Sequence, residues 1–148
     1  MKKQYDPRMH TAEHILNQSI VRMFRIGRCF SAHIEKKKSK CDYRFDRALT
    51  GEETLNIEKN VNSMIKEDML VTEEYLPKTK AEKLFSLERL PEEAGEKIRI
   101  IRVGGYDACP CIGSHVKSTK EIGDFRITST NFNNGTLRIR FNLSISGK

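Results

Sequence analysis

The chain has 148 residues, one domain's length, with 37% hydrophobic and 7% aromatic residues and no Trp, enough for one modest core. Charged residues reach 32% and mix with short apolar runs, which excludes both a disordered chain and a membrane-embedded one, whose spans need roughly 18 consecutive apolar residues. Lys and Arg outnumber Asp and Glu by 27 to 20, and the net charge of +7 favours a polyanionic partner, with RNA the first expectation.

From Thr11 to Phe24, apolar residues at helical spacing (Ala12, Ile15, Leu16, Ile20, Met23, Phe24) predict a helix that Gly27 ends. Cys29–Ile34 and Cys41–Phe45 read as strands flanking a basic tip, Lys36-Lys37-Lys38-Ser39-Lys40. In the second strand Cys41, Tyr43 and Phe45 share one face, with Asp42 and Arg44 on the other. Thr50-Gly51-Glu52-Glu53 has the form of a capping box and opens a helix to about Asp68, with Leu55, Val61, Met64 and Ile65 as its buried stripe. Leu70–Leu76 reads as a strand stopped by Pro77. A second capping box, Thr79-Lys80-Ala81-Glu82, opens a short helix through Phe85, and Pro91–Glu96 reads as polar loop. Lys97–Val103 is a β-branched strand, broken by Gly104-Gly105 before a loop carrying Cys109, Cys111 and His115. Two last strands, Phe125–Thr130 and Leu137–Ile145, flank the hairpin signal Asn133-Asn134-Gly135. In the second of them Leu137, Ile139, Phe141, Leu143 and Ile145 alternate with Arg138, Arg140, Asn142 and Ser144. The expectation is one α+β domain over residues 1–148: two layers, a mainly antiparallel sheet packed against helices.

The first residues, Met1 to Pro7, lack the apolar core of a signal peptide, so a cytoplasmic location is expected. Cysteines in a reducing compartment, when they lie near histidines, read first as metal ligands or catalysts rather than disulfides. Of four Cys and four His, two Cys and three His fall in two compact motifs. In His10-Thr11-Ala12-Glu13-His14 the two imidazoles lie four apart on one helix face. The same pentapeptide fits the His-x-x-Glu-His of inverzincin peptidases, in which Glu13 would be the general base. Its offset from His14, about 100° round the helix, points it instead towards solvent or to a supporting place. In Cys111-Ile112-Gly113-Ser114-His115 a thiolate and an imidazole are again four apart. Two such pairs supply four nitrogen and sulfur donors, a set that suits tetrahedral Zn²⁺, with Cys109 of Cys109-Pro110-Cys111 as a competing ligand.

These motifs resemble a known family. HTAEHIL followed much later by CIGSHVKSTKEIG is similar to the editing domain of alanyl-tRNA synthetases and its freestanding AlaX relatives, with a related domain in threonyl-tRNA synthetases. Between the motifs, Phe45-Asp46, Ile57-Glu58 and Val61-Asn62 match in order and spacing, so the likeness spans nearly the whole chain. The resemblance implies Zn²⁺ held by His10, His14, Cys111 and His115, and hydrolysis of mischarged tRNA, seryl-tRNA(Ala) or glycyl-tRNA(Ala). It also implies a small AlaX-type protein that acts in trans, with the zinc site between the N-terminal helix and a late loop. The chain departs from the family pattern at Ile112 and Ser114, where Cys-Gly-Gly-Thr-His is usual, and at Lys120 and Cys109.

Ser31 and Ser114 are the hydroxyls expected to meet the substrate side chain. Lys36, Lys37, Lys38, Lys40, Lys117 and Lys120 are the expected tRNA contacts, extended by Arg138 and Arg140. A non-catalytic tRNA-binding module stapled by zinc is the second reading, and an inverzincin-like peptidase the third.

Overall fold

The computed structural model describes residues 6–87 and 96–144. The first helix, α1 (Pro7–Phe24), starts where Asp6 accepts a hydrogen bond from the Met9 amide and Pro7 presets the first turn. It ends at Arg25, which adopts the left-handed conformation at φ 56° and returns its amide to Val21. The stop therefore precedes Gly27, because the cap needs only one residue able to turn left-handed. Almost every residue of α1 from Met9 to Ile20 is buried, so this helix runs through the molecule rather than over it.

Two antiparallel sheets surround α1. The larger has the order β1-β2-β7-β6, from β1 (Ser31–Ile34), β2 (Ser39–Arg44), β6 (Asp124–Asn133) and β7 (Thr136–Ser144). The smaller is β3-β4-β5, from β3 (Val71–Pro77), β4 (Lys97–Val103) and β5 (Asp107–Pro110). The expected α+β fold with antiparallel sheet packed against helices is found, the sheet being divided in two because β3 pairs with β4 rather than with the first four strands. Cys109 lies on β5, opposite Ile101, not in a loop. The turn between β6 and β7 is the predicted one: Asn134 and Gly135 sit at φ 48° and 78°, the paired left-handed conformations that suit a twisted hairpin. Leu137, Ile139 and Phe141 are buried inward as the alternation requires; Ile145 and Pro91–Gly95 lie outside the described residues.

Helix α2 (Gly51–Lys66) begins at the predicted capping box, with Thr50 and Glu53 each bonding the other's backbone amide. Its buried stripe is Ile57, Val61 and Ile65; Leu55 is 57% exposed, since two residues from Ile57 it lies about 200° round the helix, off that stripe. The remaining positions explain themselves at the sheet edge. Asn62 pairs with both the amide and the carbonyl of Phe125, and Glu58 accepts from the Ile127 amide. These side chains stand in for a missing neighbour strand along β6, whose edge amides would otherwise be unpaired.

Helix α3 (Lys78–Leu84) starts one residue before Thr79, so the second capping box does not form and Pro77 occupies the cap position. A polar knot joins the elements across the core: Ser19 of α1, Asn60 of α2 and Tyr106 of the β4–β5 turn bond one another at 2.8–3.0 Å. A 3₁₀ turn, Thr119–Ile122, is tied to α1 by two bonds from the Arg8 guanidinium to the Ile122 carbonyl. No helix among the described residues is long and apolar enough to cross a membrane.

Candidate metal centre

His10 and His14 project from α1, while Cys111 and His115 lie on the segment after β5, and the donor atoms of all four lie within 4.8 Å of one another. The Cys111 sulfur is 3.3 Å from Nε2 of His10 and 3.3 Å from Nε2 of His115. Arg99 of β4 shapes this segment, donating to the Gly113 carbonyl at 2.7 Å while its own carbonyl accepts from the Cys111 amide. Two stretches about a hundred residues apart in sequence therefore meet at one point.

Hydrogen bonds around the four residues fix which nitrogen faces inward. Nδ1 of His10 meets the Ser114 carbonyl at 3.1 Å, and a carbonyl only accepts, so that nitrogen carries the hydrogen. The Thr11 hydroxyl spends its proton on the Pro7 carbonyl, so at 2.9 Å it accepts from Nδ1 of His115. Nδ1 of His14 faces the Asp107 carboxylate at 3.3 Å, a charge contact too poorly aligned for a full hydrogen bond. His10 and His115 are held by hydrogen bonds at Nδ1 and His14 turns its Nδ1 towards Asp107, which leaves each Nε2 as the donor, the arrangement by which outer partners orient metal ligands.

Electrostatics agree with a ligand set. Burial would raise the Cys111 thiol, but its contacts with His10, His115 and His14 overcome it and bring the group to about 3, a thiolate at neutral pH. His115 is lowered to about 4, chiefly by burial, and so stays neutral. Burial pulls His14 down as well, yet the Asp107 carboxylate and the Cys111 sulfur outweigh it and raise the group to about 9. A bound cation would take the place of that proton. Behind His14 stands a support that the sequence did not signal. Asp107 is buried, pairs with the Arg28 guanidinium at 2.6 Å and accepts from Gln18 at 2.9 Å. Despite the cost of burial, His14 and Arg28 hold its carboxyl well below the usual range. A lone acid in an otherwise apolar strand, four residues before Cys111, was the one available hint.

Three imidazole nitrogens and one thiolate fit a borderline-soft divalent ion. Cys109 is not among the grouped donors; burial pushes its thiol up to about 12, so the sulfur keeps its proton. Glu13 is neither solvated nor remote, being 3% exposed, with one carboxylate oxygen 3.8 Å from Nε2 of His10 and the other accepting from Asn17 at 2.7 Å. Its i+3 relation to His10, not its offset from His14, decides where it points.

Ser114 is exposed beside the centre and contributes its carbonyl, whereas Ser31 is exposed on the sheet face it shares with Asp42. Lys36, Lys37 and Lys38 are exposed in the β1–β2 turn, Lys40 is half-buried on β2, and Lys117 and Lys120 are exposed near the second motif.

Residues 98–140 match the family described as threonyl and alanyl tRNA synthetase second additional domain. The chain is 31% identical over 145 residues to the alanine–tRNA ligase of Acholeplasma laidlawii, covering 93% of this chain and 16% of that protein. It is 32% identical over 124 residues to the Coxiella burnetii enzyme of the same name (82% and 14%). With the Listeria innocua one it shares 30% over 151 residues (100% and 17%). The chain spans about one sixth of the length of these curated relatives. It is therefore homologous, across its length, to one segment of alanyl-tRNA synthetases, with residues 98–140 matching the second additional domain family.

Proposed function

We propose that this chain is an AlaX-type editing hydrolase, one that removes a wrong amino acid from tRNA, with seryl-tRNA(Ala) as the main substrate and glycyl-tRNA(Ala) as the second. The observation that carries the reading is the grouping of the His10, His14 and His115 imidazoles with the Cys111 sulfur, in a chain homologous to alanyl-tRNA synthetases. Zn²⁺ in that set would supply Lewis acidity, polarising the ester carbonyl and lowering the pKa of water. The residues of the chain do the rest. Asp107, Thr11 and the Ser114 carbonyl orient the three imidazoles. The Ser114 hydroxyl, exposed next to His115, is the group we place against the substrate side chain. Lys117 and Lys120, exposed a few residues beyond it, would meet the acceptor end, in a cytoplasmic protein whose partner is tRNA.

Such a second site is physically necessary because a pocket built for Ala cannot reject Gly by size and discriminates weakly against one added hydroxyl. Four protein donors also close a tetrahedral shell, which favours a second reading, a tRNA-binding module that zinc merely staples. Incubation of Ser-, Gly- and Ala-tRNA(Ala) with the protein and with His10→Ala separates the two. Selective release of Ser or Gly that the variant loses is the expected result; tRNA binding without release would select the stapled module.

A further inference from the structure

The solvent face of the larger sheet is the strongest feature the metal centre does not use. The pairing register places His33, Lys40, Arg140 and Ser129 side by side in one row across β1, β2, β7 and β6. The next row is Ser31, Asp42, Arg138 and Asn131, and beyond the first lie Asn142 and the exposed Arg126. Residues directly opposite in a ladder share a face, so these side chains all leave the sheet on the side away from Cys41, Tyr43, Ile139 and Phe141, which pack with α1 in the core. Lys38, at the turn, joins Lys40 and Arg140 around an open groove of about 300 Å³.

Cations outnumber acids on this surface. Asp42 is matched by Arg138 at 2.7 Å, with Lys40 and Arg140 adding to the positive field around it, and Glu35 pairs with His33; among the described residues Lys38, Lys40, Arg140 and Arg126 form no close ion pair of their own. Arg140 is held in place by side-chain oxygens of Asn131 and Ser129 rather than by a carboxylate. At the border of the face, Arg44 lies 4.3 Å over the ring of Phe30, an aromatic that remains 39% exposed. Cationic side chains arrayed on one sheet face, about 5 Å apart between strands and 7 Å along them, beside an exposed aromatic are the pattern that tracks a nucleic-acid backbone and offers a stacking platform.

We infer that this face docks the phosphodiester backbone of RNA, at a surface on the opposite side of the sheet from α1 and its histidines. The inference rests on the reading of tRNA as partner and extends it, because it separates RNA holding from the metal centre. Contacts of this kind are sequence-independent, so they add affinity for any part of the tRNA that reaches the sheet.

The test compares Lys40→Gln/Arg140→Gln with the charge-conserving Lys40→Arg/Arg140→Lys, both checked for folding by circular dichroism. Uncharged tRNA binding is titrated from low to moderate salt, and hydrolysis of 3′-O-seryl-adenosine, too short to reach the sheet, is measured alongside. We expect the Gln variant to bind tRNA about tenfold more weakly, with a salt slope shallower by about 0.7–0.9 for each charge removed. The conserving variant should bind as the parent does, and all three proteins should treat the short ester alike. Equal affinity and slope in the Gln variant would overturn the inference, as would an equal loss in both variants. Failure of every protein to hydrolyse the short ester would count against the hydrolase reading, while the binding arm would still decide the sheet face.

Discussion

Asp107 shows how one side chain can serve a centre it does not enter. Its carboxylate faces Nδ1 of His14, while Arg28 and Gln18 occupy its remaining lone pairs. Removing such an outer partner generally costs a metal site about 10–100-fold in affinity. Asp107→Asn should therefore weaken Zn²⁺ binding by that factor in a competition titration with a chromophoric chelator. Cys109→Ser should leave the same titration unchanged, since that sulfur keeps its proton and is not among the grouped donors. Gly123 is a different case, backbone rather than chemistry. At φ 88° it lies where side chains are strained, and an added Cβ would come within 2.4 Å of the Ser144 carbonyl. Gly123→Ala should destabilise the chain by about 1–3 kcal/mol in denaturant unfolding. The four grouped donors were legible from their spacing alone, two by two. Asp107, Arg28 and the burial of Glu13 were not, because each depends on a partner far away in the sequence.

Among the elements, α2 has the most transparent origin. Its capping box is read directly from Thr50 and Glu53 and found intact, with the Arg47 guanidinium added on the outer side of Glu53. Thr50→Ala should cost about 1 kcal/mol, or about 2–4 °C in Tm for a chain of this size. The Arg47 pair and the Thr50 amide hold the Glu53 carboxyl down to about 2 from its usual 4.5. A lowered carboxylate contributes fully above its unfolded pKa and loses that contribution as pH falls through the folded value. Helix content followed by circular dichroism should thus weaken between about pH 4.5 and 2, and Glu53→Gln should flatten the change in that window. The second predicted box fails at Thr79 because β3 continues through Pro77 and the helix begins directly on it. Local pattern names a cap, but strand pairing decides where the helix may start. Leu55 misleads for a related reason: helical spacing allows several stripes, and only packing against α1 and β6 chooses the one through Ile57, Val61 and Ile65.

At the scale of the whole molecule, the four grouped donors bring the first helix together with a segment about three quarters of the way along the chain, so an ion held there would clasp the two. An ion present at about a thousand times its Kd stabilises the folded state by about 4 kcal/mol, roughly 8–16 °C in Tm. Stripping Zn²⁺ with a chelator should lower Tm by that order, and His10→Ala should abolish the difference between the loaded and stripped protein. Helix and strand types, the Asn134-Gly135 hairpin, the two donor pairs and the cationic surplus follow from the sequence by itself, because period, turn chemistry and charge are local properties. The split into two sheets, the inward Nε2 atoms, the support from Asp107 and the one-sided grid of Lys and Arg were decided only by the tertiary structure. Each of those requires residues distant in the chain to be neighbours, and strand register and helix packing alone determine which distant residues meet.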